Sequence, residues 1–419
     1  MPSTRSAPMS RPFSPASDLH RQGSAAYRHL TLAMLFAGFS TFSLLYAVQP
    51  LLPLFARDYR LSAEGASLAV SLATGPLAIG ILFAGIISDR VGRRPIMIGA
   101  MFAAGALTLA AGLVPGWHGL LALRLLTGLA LAGMPAVAMA YVSEEVHADS
   151  VGAAMGLYIA GSGIGGMGGR LVASLVSDVA GWRWALAAVG IAGLLMAETF
   201  RRLAPASRGF VPGGRVGGGL LALVRDAALP VLYAEAFVLM GVFVTVYNYA
   251  GFRLVAPPYA LSQAAVGAVF LLYILGSLSS AWFGTQAGRI GRRRMFWIPV
   301  VLLLAGLAIG AARPLPLVVA GIALVTIGFF GAHSIASAWV GRRARSQRGQ
   351  AAALYLFFYY LGSSVLGSAG GLAWTHRGWP GVTLFCGILA LLALAGGAWL
   401  ARVPPLPDPE ETGVSPVEA

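Results

Sequence analysis

The sequence predicts an all-α, polytopic membrane protein with twelve transmembrane helices in two parallel six-helix repeats. Three observations predict it: long apolar runs with few charges, arginines gathered into alternate loops, and a charged knot that occurs twice. Of 419 residues, 58% are hydrophobic and 11% charged, whereas a soluble domain carries about a quarter charged residues. Mean hydropathy is +0.77, and runs of about 20 apolar residues match a hydrocarbon core of ~30 Å. The 55 glycines suit helices that approach closely within a bilayer.

In chain order, residues 1–27 are rich in Ser, Pro and Arg and read as a disordered tail. They are no signal peptide, because the next apolar stretch has full membrane length and no small-residue cleavage site follows. Spans 1 to 6 are expected at 29–50, 66–88, 95–115, 118–142, 152–175 and 182–201, within a bundle covering 28–201. The segment 202–228 contains RLAPASRGFVPGGRVGGGLLALVRD and reads as a linker. Its LLALVRD end suits a short helix lying on the membrane surface. Spans 7 to 12 are expected at 229–251, 264–287, 295–312, 315–340, 350–373 and 379–401, within a second bundle covering 229–402. Residues 403–419 are polar and Pro-rich, and read as a second disordered tail.

The charge of +14 comes from 29 basic residues, all arginine. Their placement argues against nucleic-acid binding: they lie in short loops, as the topology rule for membrane proteins requires, and not along one basic stripe. Alternate loops collect Arg90, Arg93, Arg94, Arg201, Arg202, Arg208, Arg215, Arg225, Arg289, Arg292, Arg293, Arg294, Arg342, Arg343, Arg345 and Arg348 on one side. The other side holds Arg57, Arg60, Arg183, Arg253, Arg313 and Arg377. The first side is therefore expected in the cytoplasm, with both termini, and the chain in the inner (plasma) membrane. The single cysteine, Cys386, excludes an intramolecular disulfide and reads as a buried thiol.

The charged knot explains the architecture. GIISDRVGRRP at 85–95 is echoed by GTQAGRIGRRR at 284–294. Gly85, Arg90, Gly92, Arg93 and Arg94 fall on Gly284, Arg289, Gly291, Arg292 and Arg293, each pair 199 apart. Leu61-Ser62 matches Leu261-Ser262, and Gly181-Trp182 matches Gly378-Trp379. Such near-constant offsets imply a duplicated unit. An even number of spans keeps both copies in one orientation.

Gly85-x-x-x-Asp89-Arg90-x-Gly92-Arg93-Arg94 resembles the signature loop of the major facilitator superfamily, and the resemblance covers residues 28 to about 402. Arg124-x-x-Thr127-Gly128 in span 4 and Pro50-Leu51-Leu52-Pro53 in span 1 resemble motifs of its drug/proton antiporter branch. Gly156-x8-Gly165-x3-Gly169 matches the spacing of the antiporter glycine motif, with Arg170 in place of Pro and Ala173-Ser174 in place of Gly-Gly. YAVQPLLP and IGGMGGRLV look most like the acriflavine-sensitivity-type bacterial subfamily. The resemblance implies that Asp89 makes a contact closing the inward side, broken during transport. Gly288 stands at the matching position of the second copy, so the latch is one-sided. The gating set is then Gly85, Asp89, Arg90, Gly92, Arg93, Arg94, Arg289, Gly291 and Arg292.

Charges within spans cost roughly 2.5–3.5 kcal/mol at a helix centre and so mark candidate functional groups. Glu235 in span 7 and His333 in span 10 lie at similar depth and are expected to form a proton-exchanging pair, with Arg124 as a third coupling residue. Glu198 lies three and four residues before Arg201 and Arg202 and reads as a helix salt bridge. Tyr46, Gln49, Tyr158, Arg170, Tyr247, Asn248 and Phe358 supply polar and aromatic surface for a substrate cavity. Gly161, Gly165 and Gly169 in span 5, and Gly276, Ser280 and Gly284 in span 8, make smooth faces expected to meet as a sliding seam between the halves.

The function expected is alternating-access secondary transport by a monomer, with proton-coupled efflux of small lipophilic or amphipathic compounds. The alternative is a polar metabolite such as a sugar or organic acid, with Arg124 and Arg170 on its carboxylate. A membrane-embedded enzyme and a non-transporting sensor are remote readings. The six histidines, at 20, 29, 118, 147, 333 and 376, form no H-E-x-x-H, and no G-x-x-x-x-G-K-[ST] phosphate loop is present. No metal or cofactor is therefore expected; the partners are a small-molecule substrate, protons and the bilayer.

Overall fold

In hydrocarbon every backbone N–H and C=O must find its partner within the chain, and the helix satisfies them locally. The computed structural model describes residues 19–207, 220–344 and 347–404. Spans 1 to 6 run Ala25–Tyr59, Ala63–Val91, Arg93–Leu113, Trp117–Glu145, Ala148–Ala180 and Trp182–Leu203. Spans 7 to 10 run Leu229–Val255, Gln263–Ile290, Arg292–Gly310 and Leu315–Arg343. Spans 11 and 12 share the run Arg348–Arg402, which leaves helical geometry at Gly378 (φ 59°, ψ −144°). Most ends fall close to the expected limits, but span 1 continues past residue 50 to Tyr59. The chain tightens into a 3₁₀ turn over Gln49–Leu51 and re-enters helix at Leu52–Tyr59. Pro50 and Pro53 each sit in the first turn of a new segment, where the missing N–H has no helical partner to lose.

The duplication is written into the backbone. Among the described residues, and apart from Gly23, those with positive φ come in repeat-related pairs: Arg60 with Ala260, Gly92 with Gly291, and Gly181 with Gly378. Gly92 and Gly291 have φ of 101° and 104°, which glycine adopts without strain in this tight turn. Ser62 caps span 2 through Gly65 N–H (3.0 Å), and Ser262 caps span 8 through Ala265 N–H (3.2 Å). Gly165 packs against the Phe39 carbonyl, and Gly362 against that of Phe237, the same helix contact made in each half.

The tail expected to be disordered over 1–27 is ordered from residue 19, while 1–18 lie outside the described residues. His20 pairs its backbone with the loop after span 4, donating to Glu145 O (2.9 Å) and accepting from His147 N–H (3.1 Å). Helix begins at Ala25, capped by Ser24. In the expected linker, 208–219 lie outside the described residues, with Arg208 and Arg215, as does Arg345. The expected short helix is present at Leu220–Arg225. Asp226 follows, accepting from Ala228 and Leu229 N–H at the start of span 7 and from Arg343 Nε at 2.9 Å. Burial disfavours its charge, but Arg343 and the two amides prevail and hold its carboxyl below the usual aspartate value. Residues 405–419 of the expected C-terminal tail lie outside the described residues.

The glycine faces do not form the expected seam. Gly161, Gly165 and Gly169 pack on Leu35, Phe39 and Ser43 of span 1, inside their own half. Gly276 packs on Phe330, and Ser280 O accepts from Ser334, both on span 10. Spans 5 and 8 do meet, but through neighbouring faces: Gly267 packs on Ser174, and Asp178 accepts from Gln263 N–H at 2.9 Å. The smooth faces bind helices within each bundle, where backbones come closest.

Candidate functional site

The two halves touch unevenly. Among the described residues, every hydrogen bond between them lies near mid-depth or toward the face opposite the arginine-rich loops. Ser71 Oγ meets Ser368 Oγ at 2.6 Å, and Ser364 donates to Ser71 O at 2.9 Å. Gln263 Nε2 donates to Pro50 O at 3.1 Å. Tyr46 and Ser363 hydroxyls meet at 3.4 Å. Gln49 Nε2 donates to Asn248 Oδ1 at 2.7 Å. Gln49 and Asn248 are repeat-related, 199 residues apart, so they meet where the pseudo-two-fold axis passes. Among the described residues, none of these side-chain bonds joins the halves at the arginine-rich end. The bonds that join the halves among the described residues are thus gathered at one end of the seam, which we call the seal; the other is the parted face.

At the parted face, Asp89 pairs with Arg93 (2.6 Å), and Arg93 also reaches Glu144 (2.9 Å) at the end of span 4. Both partners lie in the N-terminal half. Among the described residues, the expected contact across the seam is not made in this conformation. Gly85 meets no neighbour that a side chain would touch. Arg94 donates to Ala204 O (2.9 Å) and Arg201 O (2.7 Å), tying span 3 to the end of span 6. Arg90 and Arg289 are exposed, while Arg292 is half-buried.

Glu235 and His333 are not brought together. The Glu235 carboxyl faces Gly396 of span 12, where a Cβ would collide with Oε1, and its buried Oε2 has no hydrogen-bond partner. Equal depth placed the two residues alike, but the helical turn aims Glu235 away from the centre. His333 Nδ1 instead meets Tyr355 Oη at 2.9 Å, its ring stacked on Phe329. Arg124 meets neither. It donates to Ala69 O (2.9 Å), Leu44 O (3.0 Å) and Leu45 O. Those last two carbonyls belong to the end of the first helical segment of span 1, where a cation favours the helix dipole. Glu198 forms the expected pairs with Arg201 and Arg202, each at 2.6 Å.

The cavity residues divide. Tyr46, Gln49, Arg170, Tyr247 and Asn248 form one group under the seal. Arg170 Nε donates to Gln49 Oε1 at 2.7 Å and Nη1 donates to Gly166 O. Its guanidinium lies 4.5 Å from the Tyr46 ring, 5.2 Å from Phe270 and 5.0 Å from Tyr273. Tyr247 stacks on Phe270 and bonds Thr326 at 2.8 Å. Phe358 lies elsewhere, stacked on Tyr233 toward the arginine-rich end. Tyr158 sits further down span 5, its buried hydroxyl unpartnered. Phe270, Tyr273, Gln263, Glu144 and Tyr355 were not singled out by sequence. Phe270 and Tyr273 are three apart on span 8, and that spacing was the available signal.

The family model of the Major Facilitator Superfamily matches residues 34–281 and 238–419. The chain belongs to the major facilitator superfamily. It is 43% identical over 408 residues to the inner membrane transport protein YnfM of Escherichia coli (strain K12), covering 93% of this chain and 97% of that protein. It is 41% identical to the uncharacterized MFS-type transporter YybF of Bacillus subtilis (strain 168), with coverage of 93% and 97%. Among solved structures it is similar to nucleoside transporter NupG, with a TM-score of 0.69 at 16% identity, covering 88% of this chain and 99% of that one. It is also similar to a bacterial homolog of the human lysosomal transporter Spinster, with a TM-score of 0.67 at 14% identity and coverage of 90% and 95%. A major facilitator chain of this build is a multi-pass inner-membrane transporter and not an enzyme.

Proposed function

We propose that the chain is a monomeric secondary transporter working by alternating access, exporting small lipophilic or amphipathic compounds in exchange for protons. The observation that carries this reading is the one-sided distribution of bonds between the halves: sealed at Gln49–Asn248 and parted at the arginine-rich end. With the arginine-rich face and both termini in the cytoplasm, the conformation is inward-facing. In the opposite state Asp89 leaves Arg93 and closes the cytoplasmic side against the second half, as the drug/proton antiporter resemblance implies.

Proton movement is assigned to Glu235, Tyr355 and His333. Glu235 offers a buried carboxyl oxygen without a partner, and Tyr355 offers a hydroxyl that already meets His333. One proton crossing 100 mV releases about 2.3 kcal/mol, enough to bias a two-state cycle. Arg124 contributes by holding span 1 and not by exchanging a proton. Proteoliposomes under an imposed pH gradient, with a panel of dyes and metabolites, test this. Glu235→Gln and His333→Ala are each expected to lose gradient-driven flux while retaining exchange without a gradient. Equal gradient-driven flux in parent and variants would exclude the relay.

A further inference from the structure

Arg170 is 2% exposed on span 5, deep between the two halves. Among the described residues, ion pairs form at Arg57, Arg93, Arg201, Arg202, Arg343 and His147, and none at Arg170. Nε and Nη1 are occupied, and Nη2 makes no hydrogen bond. A buried charge without a counter-charge is costly to hold in a span. Three aromatic faces offset part of that cost through cation–π contacts. Nearby, Tyr273 carries a buried hydroxyl with no partner. The site is thus rich in donors and short of an acceptor. Its walls are rings.

We propose that Arg170 is the recognition group for an organic monoanion, a carboxylate attached to an aromatic or similarly flat apolar body. The carboxylate accepts from Nη2 and from the Tyr273 hydroxyl, and its body lies among Tyr46, Phe270 and Tyr273. One guanidinium suits a single negative charge. The other arginine buried within the spans, Arg124, has its donors committed to carbonyls. A cation is excluded by the like charge. The same arginine holds Gln49, which forms the seal with Asn248. An anion that competes for the guanidinium therefore frees Gln49 Oε1 and loosens the seal above it, coupling occupancy to opening.

This inference rests on the transporter reading and names its substrate class. The test uses the purified full-length chain with benzoate, salicylate and indole-3-acetate, each against its neutral amide, with affinity read by tryptophan fluorescence and calorimetry. The acids are expected to bind at least tenfold tighter than the amides. Arg170→Gln should lose that preference, and Arg170→Lys should recover part of it, with both variants eluting and melting as folded protein. Amides that bind as tightly as acids, acids that do not bind at all, or a preference that survives Arg170→Gln would each overturn the proposal. Counterflow in vesicles separates the two readings. If benzamide or a quaternary aromatic ammonium exchanges while the acids neither bind nor exchange, transport stands and the anion site falls.

Discussion

Two arginines lie almost fully buried in adjacent spans of the same half, and their surroundings differ completely. Arg124 spreads its donors over three backbone carbonyls on spans 1 and 2. Arg170 gives two nitrogens to Gln49 and Gly166, keeps one without a bond, and lies among three rings. Both are charges that cost free energy to bury. One is satisfied and acts as a strut; the other is left incomplete and has chemistry in reserve. A buried charge within a span is therefore a candidate site only after its donors have been accounted for.

Substituting each arginine in turn tests the difference most sharply. Arg124→Ala strands the Leu44, Leu45 and Ala69 carbonyls, each costing about 1–3 kcal/mol when buried without a partner. We expect a loss of stability on the order of 3 kcal/mol or more in thermal melts, not restored by Arg124→Lys, which lacks the planar fork. Arg170→Gln should change stability by less than about 1 kcal/mol, because Gly166 O keeps its place in the helix and removing the unpaired buried charge offsets the lost bond to Gln49. Similar losses from both substitutions would erase the distinction.

A smaller effect concerns the seal that Arg170 supports. Gln49→Leu removes two hydrogen bonds, of which only the one to Asn248 crosses the seam; that bond is worth about 1 kcal/mol, roughly fivefold in an opening equilibrium. In a Cys386→Ser background, Ser174→Cys reports opening by its reaction with a membrane-impermeant maleimide. Labelling should rise about fivefold with Gln49→Leu; an unchanged rate would mean that the seal lies elsewhere.

The smallest effect comes from a third arginine, Arg343, which has a carboxylate at 2.9 Å. Asp226 is held below its ordinary value, so the stability it contributes is present above about pH 4 and is lost as pH falls through the lower folded value. Asp226→Asn should remove that increment, on the order of 0.5 kcal/mol, and flatten the fall in melting temperature between about pH 5 and pH 3. Parallel pH profiles would show that the pair contributes nothing.

Much of this was legible in the chain, and what was not has a common cause. Span positions followed from run length, because hydrocarbon thickness fixes how many apolar residues a helix needs. The two repeats followed from spacing, and the turns at Gly92 and Gly291 reproduce it in their dihedral angles. Glu198 was read correctly because its partners lie one helical turn away. The Glu235–His333 pair failed because depth along a helix says nothing about which way a side chain faces. The glycine faces failed for the same reason: their spacing announced close contact, but only assembly selected span 1 and span 10 as the neighbours.

By itself, the sequence determined that this is a twelve-span chain of two parallel repeats with its arginines gathered on one face. Those properties depend on composition and local periodicity, which a bilayer reads directly. Only the tertiary structure decided which end of the seam is sealed, that Arg124 is fully bonded, and that Arg170 stands among rings with a donor to spare. Each of those depends on the rotation of one helix against another, and that is set by packing between segments far apart in the chain.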